Sequence, residues 1–179
     1  FKQVFEESLP ILSDASTAKL VFIDQFGVSH VTPDVFKALV TAPACDVLFF
    51  ISSSTLRRFA DHPAIKQKID RSTDYYHVHN AVLNYYRQYL DPEAEYYLAP
   101  FSIKKGSNIY GLIFGSAHPL GIDKFLQVAW KEDQFSGSAD FDIDRANMKP
   151  DQMMFELDVL QPTKVKAFER ELERRILKG

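Results

Sequence analysis

Two short apolar runs, residues 20–23 (LVFI) and residues 47–51 (VLFFI), constrain this chain more than any other feature. Both are rich in β-branched and aromatic residues and too short for helices, so they read as strands covered on both faces, as in a parallel sheet between helices. The stretch between them predicts a helix. Thr32 is a suitable N-cap, Pro33 fits the first helical position, and Val35, Phe36, Leu39 and Val40 form an apolar stripe. Ala42, Pro43 and Ala44 end it. Strand, helix and strand make a right-handed βαβ unit. Asp24 then lies at the C-terminal end of the first strand, where ligands bind in open α/β sheets, and Gly27 relieves the turn that follows.

The rest of the chain follows the same logic. Val4, Phe5, Leu9 and Leu12 predict an opening helix that ends or kinks near Leu9, because Pro10 removes a backbone donor. Short helices are expected over residues 56–59 and 65–69, and a stronger one over residues 76–90 with Val78, Val82, Leu83, Tyr86 and Leu90 on its apolar side. Residues 95–104 and 107–116, separated by Lys105 and Gly106, predict an antiparallel hairpin. Pro119 opens a further helix that buries Phe125, Leu126, Ala129 and Trp130. Residues 135–148 are polar and loop-like. Asp140, Asp142 and Asp144 have the alternation that begins a calcium loop, but the glycine and the terminal glutamate are missing at the required offsets, so a solvated loop is expected. Residues 162–178 predict a helix with Val165, Phe168, Leu172 and Ile176 on one face. Its basic residues read as a solvated face, with Glu171 and Arg175 as an i, i+4 pair, in preference to a nucleic-acid contact.

Composition bounds the partners. The chain has 179 residues, 46% hydrophobic and 25% charged, enough for a sizeable core, and a net charge of −3 gives no reason to expect whole-surface binding to nucleic acid or to an anionic membrane. A lone cysteine, Cys45, forms no intramolecular disulfide and no cysteine-rich metal site, which fits a reducing, cytoplasmic location. No apolar run is long enough to span a membrane. His77 and His79 are two residues apart and cannot share a helical face, so no metal site is expected.

Three blocks carry a resemblance. The turn IDQFG is similar to the FIDPFG or LDPFG turn of the three-Cys-motif partner proteins. DVLFF, followed by a helix with Arg58, resembles their next strand and its arginine. YGLIFGSAHPLGIDKFLQVAWK resembles their late strand and HPLG helix. These blocks cover most of residues 19–131 in the family's order. The resemblance implies an α/β fold, a partial Rossmann-like, class I methyltransferase-like sheet with parallel strands plus a C-terminal antiparallel hairpin, flanked by helices. It divides the chain into the C-terminal part of such a domain (1–134), a loop and linker (135–161) and the start of a winged-helix segment (162–179). S-adenosylmethionine is the implied cofactor of the full-length protein. None is expected to bind these residues alone, because the glycine-rich loop that holds the methionine moiety belongs to an earlier strand. The chain thus reads as a fragment with an exposed sheet edge open to a homodimer. A three-cysteine-motif radical protein is the implied partner, and a non-catalytic interaction module is the alternative function.

The same resemblance assigns the candidate site. Asp24, Gln25 and Phe26 would form the catalytic turn: Asp24 accepting a hydrogen bond from a target amine of a nucleic-acid base or other planar substrate, Phe26 stacking on it. Gln25 stands where the family has proline. The alternative is that Asp24 caps the next turn and Phe26 packs in the core. Arg58 would bind an anion through its planar fork, or pair with a local acid. Ser52 and Ser53 would line the pocket from the second strand's end. Gly27 and His118 are expected to be structural, His118 capping the helix that begins with Pro119.

Overall fold

The computed structural model describes residues 1–24, 30–69, 72, 75–133, 137–140, 172–174, 176 and 177. Helix α1 (Lys2–Ser13) leads into strand β1 (Lys19–Ile23). The helix runs through Pro10 without the expected break, because Pro10 and Glu6, whose carbonyl loses its intrahelical donor, are both exposed and water can serve that carbonyl. Lys19 fastens the two elements together. Its Nζ donates to the Leu12 carbonyl at 3.0 Å and the Asp14 carbonyl at 2.7 Å, turning the side chain back onto the α1 terminus. In the connecting turn the Asp14 carboxylate accepts from the Ser16 amide, the Ser16 hydroxyl and Thr17 Oγ1. These bonds hold its pKa down at about 2.

Helix α2 (Pro33–Thr41) starts as its sequence dictates, with Thr32 Oγ1 accepting from the Val35 amide at 3.4 Å, and returns the chain to β2 (Cys45–Ser52). β1 and β2 pair in parallel with Lys19 level with Cys45 and Ile23 level with Phe49, completing the βαβ unit. Short helices α3 (Ser53–Arg58) and α4 (Pro63–Lys66) and a 3₁₀ turn (Tyr75–His77) precede α5 (Val78–Arg87). A hairpin follows, β3 (Tyr97–Lys105) and β4 (Asn108–Ser116), turning at Gly106, whose φ of +61° is in the left-handed region. Helix α6 (Pro119–Glu132) comes after it. Leu172, Ile176 and Leu177, helical and exposed, are described from the closing helix; Glu171 and Arg175 lie outside the described residues.

The four strands form one open sheet in the order β1-β2-β4-β3. The hairpin's second strand, β4, pairs antiparallel with both β2 and β3, so it is inserted between them and leaves β3 pointing the same way as β2. Val21, Ile23, Val47, Phe49, Ile51 and Ile113 share one face, which the connecting helices cover. There the Tyr86 ring lies 4.8 Å from Phe36 and 4.9 Å from Phe49, and its hydroxyl donates to the Val31 carbonyl at 3.2 Å. Gly111 is needed on this face. A Cβ there would stand 2.5 Å from His79 Cβ and 2.6 Å from Ile51 Cγ1.

The opposite face is half covered. Over β4, α6 packs Phe125 on Phe114 at 5.1 Å. Toward β1, Phe22, Phe50 and Tyr110 form a ladder of stacked rings 6.4 and 5.3 Å apart, with Leu20 and Phe22 65% and 60% exposed. The expectation that β1 is covered on both faces is therefore corrected. β1 is the edge strand, and no described element lies over its second face. The two sheet edges also differ. Along β3, Ser102 accepts from the Asp140 amide and donates to the Ser138 carbonyl, so residues 138–140 shield that edge.

Candidate functional site

Asp24 follows β1 directly and is exposed. The register that sets Ile23 beside Phe49 puts Asp24 level with Phe50, at the same C-terminal sheet end as Ser52 and Ser53. Asp24 also lines a groove of about 540 Å³ between α1 and β1, whose other walls include Phe1, Val4, Phe5, Val21 and Phe22. The groove is apolar except for Asp24 and Ser8, and Ser8 Oγ already donates to the Val4 carbonyl at 2.7 Å. A carboxylate at one end of an aromatic-walled groove can accept an N–H from a flat ligand lying against the rings. Gln25, Phe26 and Gly27 lie outside the described residues.

The structure employs Ser52 locally. Ser52 is buried, and its Oγ accepts from the Thr55 amide at 3.4 Å and from Asn108 Nδ2 at 3.1 Å, so it caps α3 and ties β2 to the start of β4. Ser53 is wholly buried at the first position of α3. Arg58 is exposed at the end of α3 and has no ion pair among the described residues. It projects from the same sheet end as Asp24, by way of the short helix that continues β2.

His118 behaves as its sequence context suggests, with Nδ1 accepting from the Leu120 amide at 3.1 Å. His62 does the same for Ala64 at 3.3 Å, a role that sequence reasoning missed although the signal, a histidine directly before proline, occurs at both helix starts. His79 is fully buried under the sheet. Among the described residues no group of three or more histidine, cysteine, aspartate or glutamate side chains could hold a metal ion, and no helix is long and apolar enough to cross a membrane. Cys45 is free and buried, and burial pushes its thiol pKa up.

One buried cation lies away from this sheet end. Lys68 is 6% exposed, with its Nζ donating to the Ala64 carbonyl at 3.1 Å and placed 5.2 and 5.6 Å from the ring centroids of Tyr85 and Tyr86. No carboxylate pairs with it among the described residues. Desolvation brings its pKa down to about 8. Neither its position nor its partners were legible from sequence periodicity.

No protein-family model, curated protein or solved structure matches this chain. What is established is a mixed α/β unit with an open four-stranded sheet, parallel at β1-β2 and antiparallel elsewhere, flanked by helices.

Proposed function

We propose that this chain is the C-terminal part of a class I methyltransferase-like domain that transfers a methyl group from S-adenosylmethionine to a planar amine, a nucleic-acid base being one such substrate. One observation carries the reading: Asp24 leaves the C-terminal end of a parallel edge strand and lines an apolar, ring-walled groove. Asp24 would orient the amine by accepting its N–H, and S-adenosylmethionine, when bound, would supply the methyl group. The resemblance assigns an amide to Gln25 and a stacking ring to Phe26, and Arg58 would hold an anionic group of the substrate. Ser52 and His118 cap the helices that follow them, and Ser53 lies buried at the first position of α3. By the resemblance, the cofactor's methionine moiety would be held by a glycine-rich loop of a kind these residues do not contain, and the setting would be cytoplasmic.

The test is calorimetric titration of the full-length protein with S-adenosylmethionine and S-adenosylhomocysteine. Saturable heat is expected, with methyl transfer lost in Asp24→Asn. A folded sample that gives no heat with either ligand refutes the reading. Micromolar binding by residues 1–179 alone would instead show that the cofactor site lies within this chain.

A second reading is favoured by the open β1 edge and the exposed ring ladder beside it: a non-catalytic interaction module whose partner is a three-cysteine-motif radical protein. Co-purification of the full-length protein with such a partner, in the absence of cofactor binding, would decide for it.

A further inference from the structure

The β1 edge has the properties of a pairing surface. Lys19 donates its amide to the Ala44 carbonyl at 2.8 Å, so in a parallel ladder Lys19, Val21 and Ile23 direct their backbone groups at β2. Leu20 and Phe22 therefore direct theirs outward, where no described residue meets them. Among the described residues the devices that normally blunt such an edge are missing. β1 contains no proline, its register is continuous, and its one lysine is turned back onto the α1 terminus. The groove of about 540 Å³ lies alongside, where side chains of an added strand would descend.

We infer that this edge pairs with a second copy of the chain, β1 against β1 in antiparallel register about a two-fold axis through Val21. Self-complementarity selects the occupant and the register. With Val21 opposite Val21 of the other copy, Leu20 faces Phe22 and Phe22 faces Leu20, giving four backbone hydrogen bonds and apolar contacts on the exposed face. Of the two neighbouring registers that also match outward donors to outward acceptors, one sets Asp24 against Leu20, which brings a carboxylate onto an apolar side chain, and the other sets Phe22 against Ala18, which lies before the strand and offers its ring little apolar surface. Parallel pairing is heterologous and does not close. On the covered face the two Val21 side chains meet on the groove floor.

Leu20, Phe22, Val4 and Phe1 are the exposed apolar side chains at this edge. With the outward backbone their exposed area sets a ceiling of roughly 500 Å² per copy, about 1,000 Å² in all, which places the contact at the small, transient end of interfaces. A weak, reversible dimer is expected. The pairing stands on β1 and does not rest on the methyltransferase reading; because it covers Phe1, Val4 and Phe22, walls of the Asp24 groove, a ligand in that groove should oppose it.

The test is sedimentation equilibrium of residues 1–179 across roughly 1–200 µM, with three variants and a cross-linking pair. The wild type is expected to follow a monomer–dimer curve. Leu20→Pro removes an outward amide but no bond to β2, and Phe22→Lys places a charge at the seam. Each should weaken association at least about tenfold while the far-ultraviolet circular dichroism spectrum stays unchanged. Val21→Cys places two thiols across a non-hydrogen-bonded pair, where Cα atoms stand about 4.5 Å apart, so oxidation should yield a disulfide-linked dimer. Phe22→Cys should not cross-link. A monomer throughout, open-ended polymers, or cross-linking by Phe22→Cys as efficient as by Val21→Cys would overturn the inference. If Leu20→Pro unfolds, the Phe22→Lys variant and the cross-linking pair still decide it.

Discussion

Replacing Lys68 with methionine should stabilise this protein. The ammonium is 6% exposed, has one carbonyl acceptor and two tyrosine rings around it, and has no carboxylate partner among the described residues. Burial lowers its pKa from 10.5 to about 8, which corresponds to about 3 kcal/mol against the charged form. Residual solvent contact and ring attraction, worth about 0.5–1 kcal/mol for each ring, offset part of that. Methionine keeps the aliphatic stem and removes the charge, so a gain of about 1–2 kcal/mol is expected at pH 7. The pH dependence has a definite sign. The folded pKa lies below the unfolded one, so the wild type gains stability as pH rises from about 8 toward 10.5 and loses it as pH falls back through 8. The advantage of the variant should therefore shrink on the alkaline side. Urea unfolding followed by the fluorescence of Trp130, at pH 7 and pH 9.5, reads both effects. A variant less stable than wild type by 1 kcal/mol or more at about pH 7, or a gain identical at the two pH values, would refute the argument that desolvation dominates at Lys68.

Gly111→Ala should cost about 1–3 kcal/mol by overpacking, since the new Cβ meets His79 and Ile51 inside the sheet; its thermal melt should fall accordingly. Tyr86→Phe leaves the buried Val31 carbonyl without its donor, and should lower stability by about 1 kcal/mol in urea titration. His62→Ala and His118→Ala each remove a helix cap worth about 1 kcal/mol, and because the two sites are on separate elements the double variant should show additive losses. Asp14, held at about pKa 2 by its hydroxyl and amide donors, supports the fold above the unfolded value of 3.8, and this support fades as pH falls toward 2. Melting curves of Asp14→Asn and wild type should accordingly converge in strong acid and separate above about pH 4.

Element type was legible wherever local chemistry decided it. Thr32-Pro33 set the start of α2, the apolar runs set β1 and β2, and Lys105-Gly106 set the hairpin turn. Pro10 misled because proline's penalty is a missing donor and a displaced carbonyl, and both are tolerable on an exposed helix face. The burial of β1 misled for a different reason. Leu20 and Phe22 have the composition of a two-sided strand, but composition does not reveal which strand lies at an edge. At the candidate site, sequence placed Asp24 at the right sheet end but gave no sign of the groove beside it. That groove is formed by α1 folding back along β1, a tertiary arrangement fixed by Lys19 and not by any periodic pattern. The capping role of His62 was available in principle from its likeness to His118.

The insertion of β4 between β2 and β3 sets the order in which the chain can assemble during synthesis. β2 finds its parallel neighbour as soon as it emerges, because β1 precedes it, but its other edge pairs with residues roughly 60 positions downstream. At ribosomal speeds of about 5–20 residues per second, that edge waits roughly 3–12 s with the backbone groups of Val47, Phe49 and Ile51 unpaired. The interval is long enough for a nascent-chain chaperone to engage. The β1-β2 half is thus the segment most exposed to misassembly, and the arrival of Gly111, Ile113 and Gly115 closes that window.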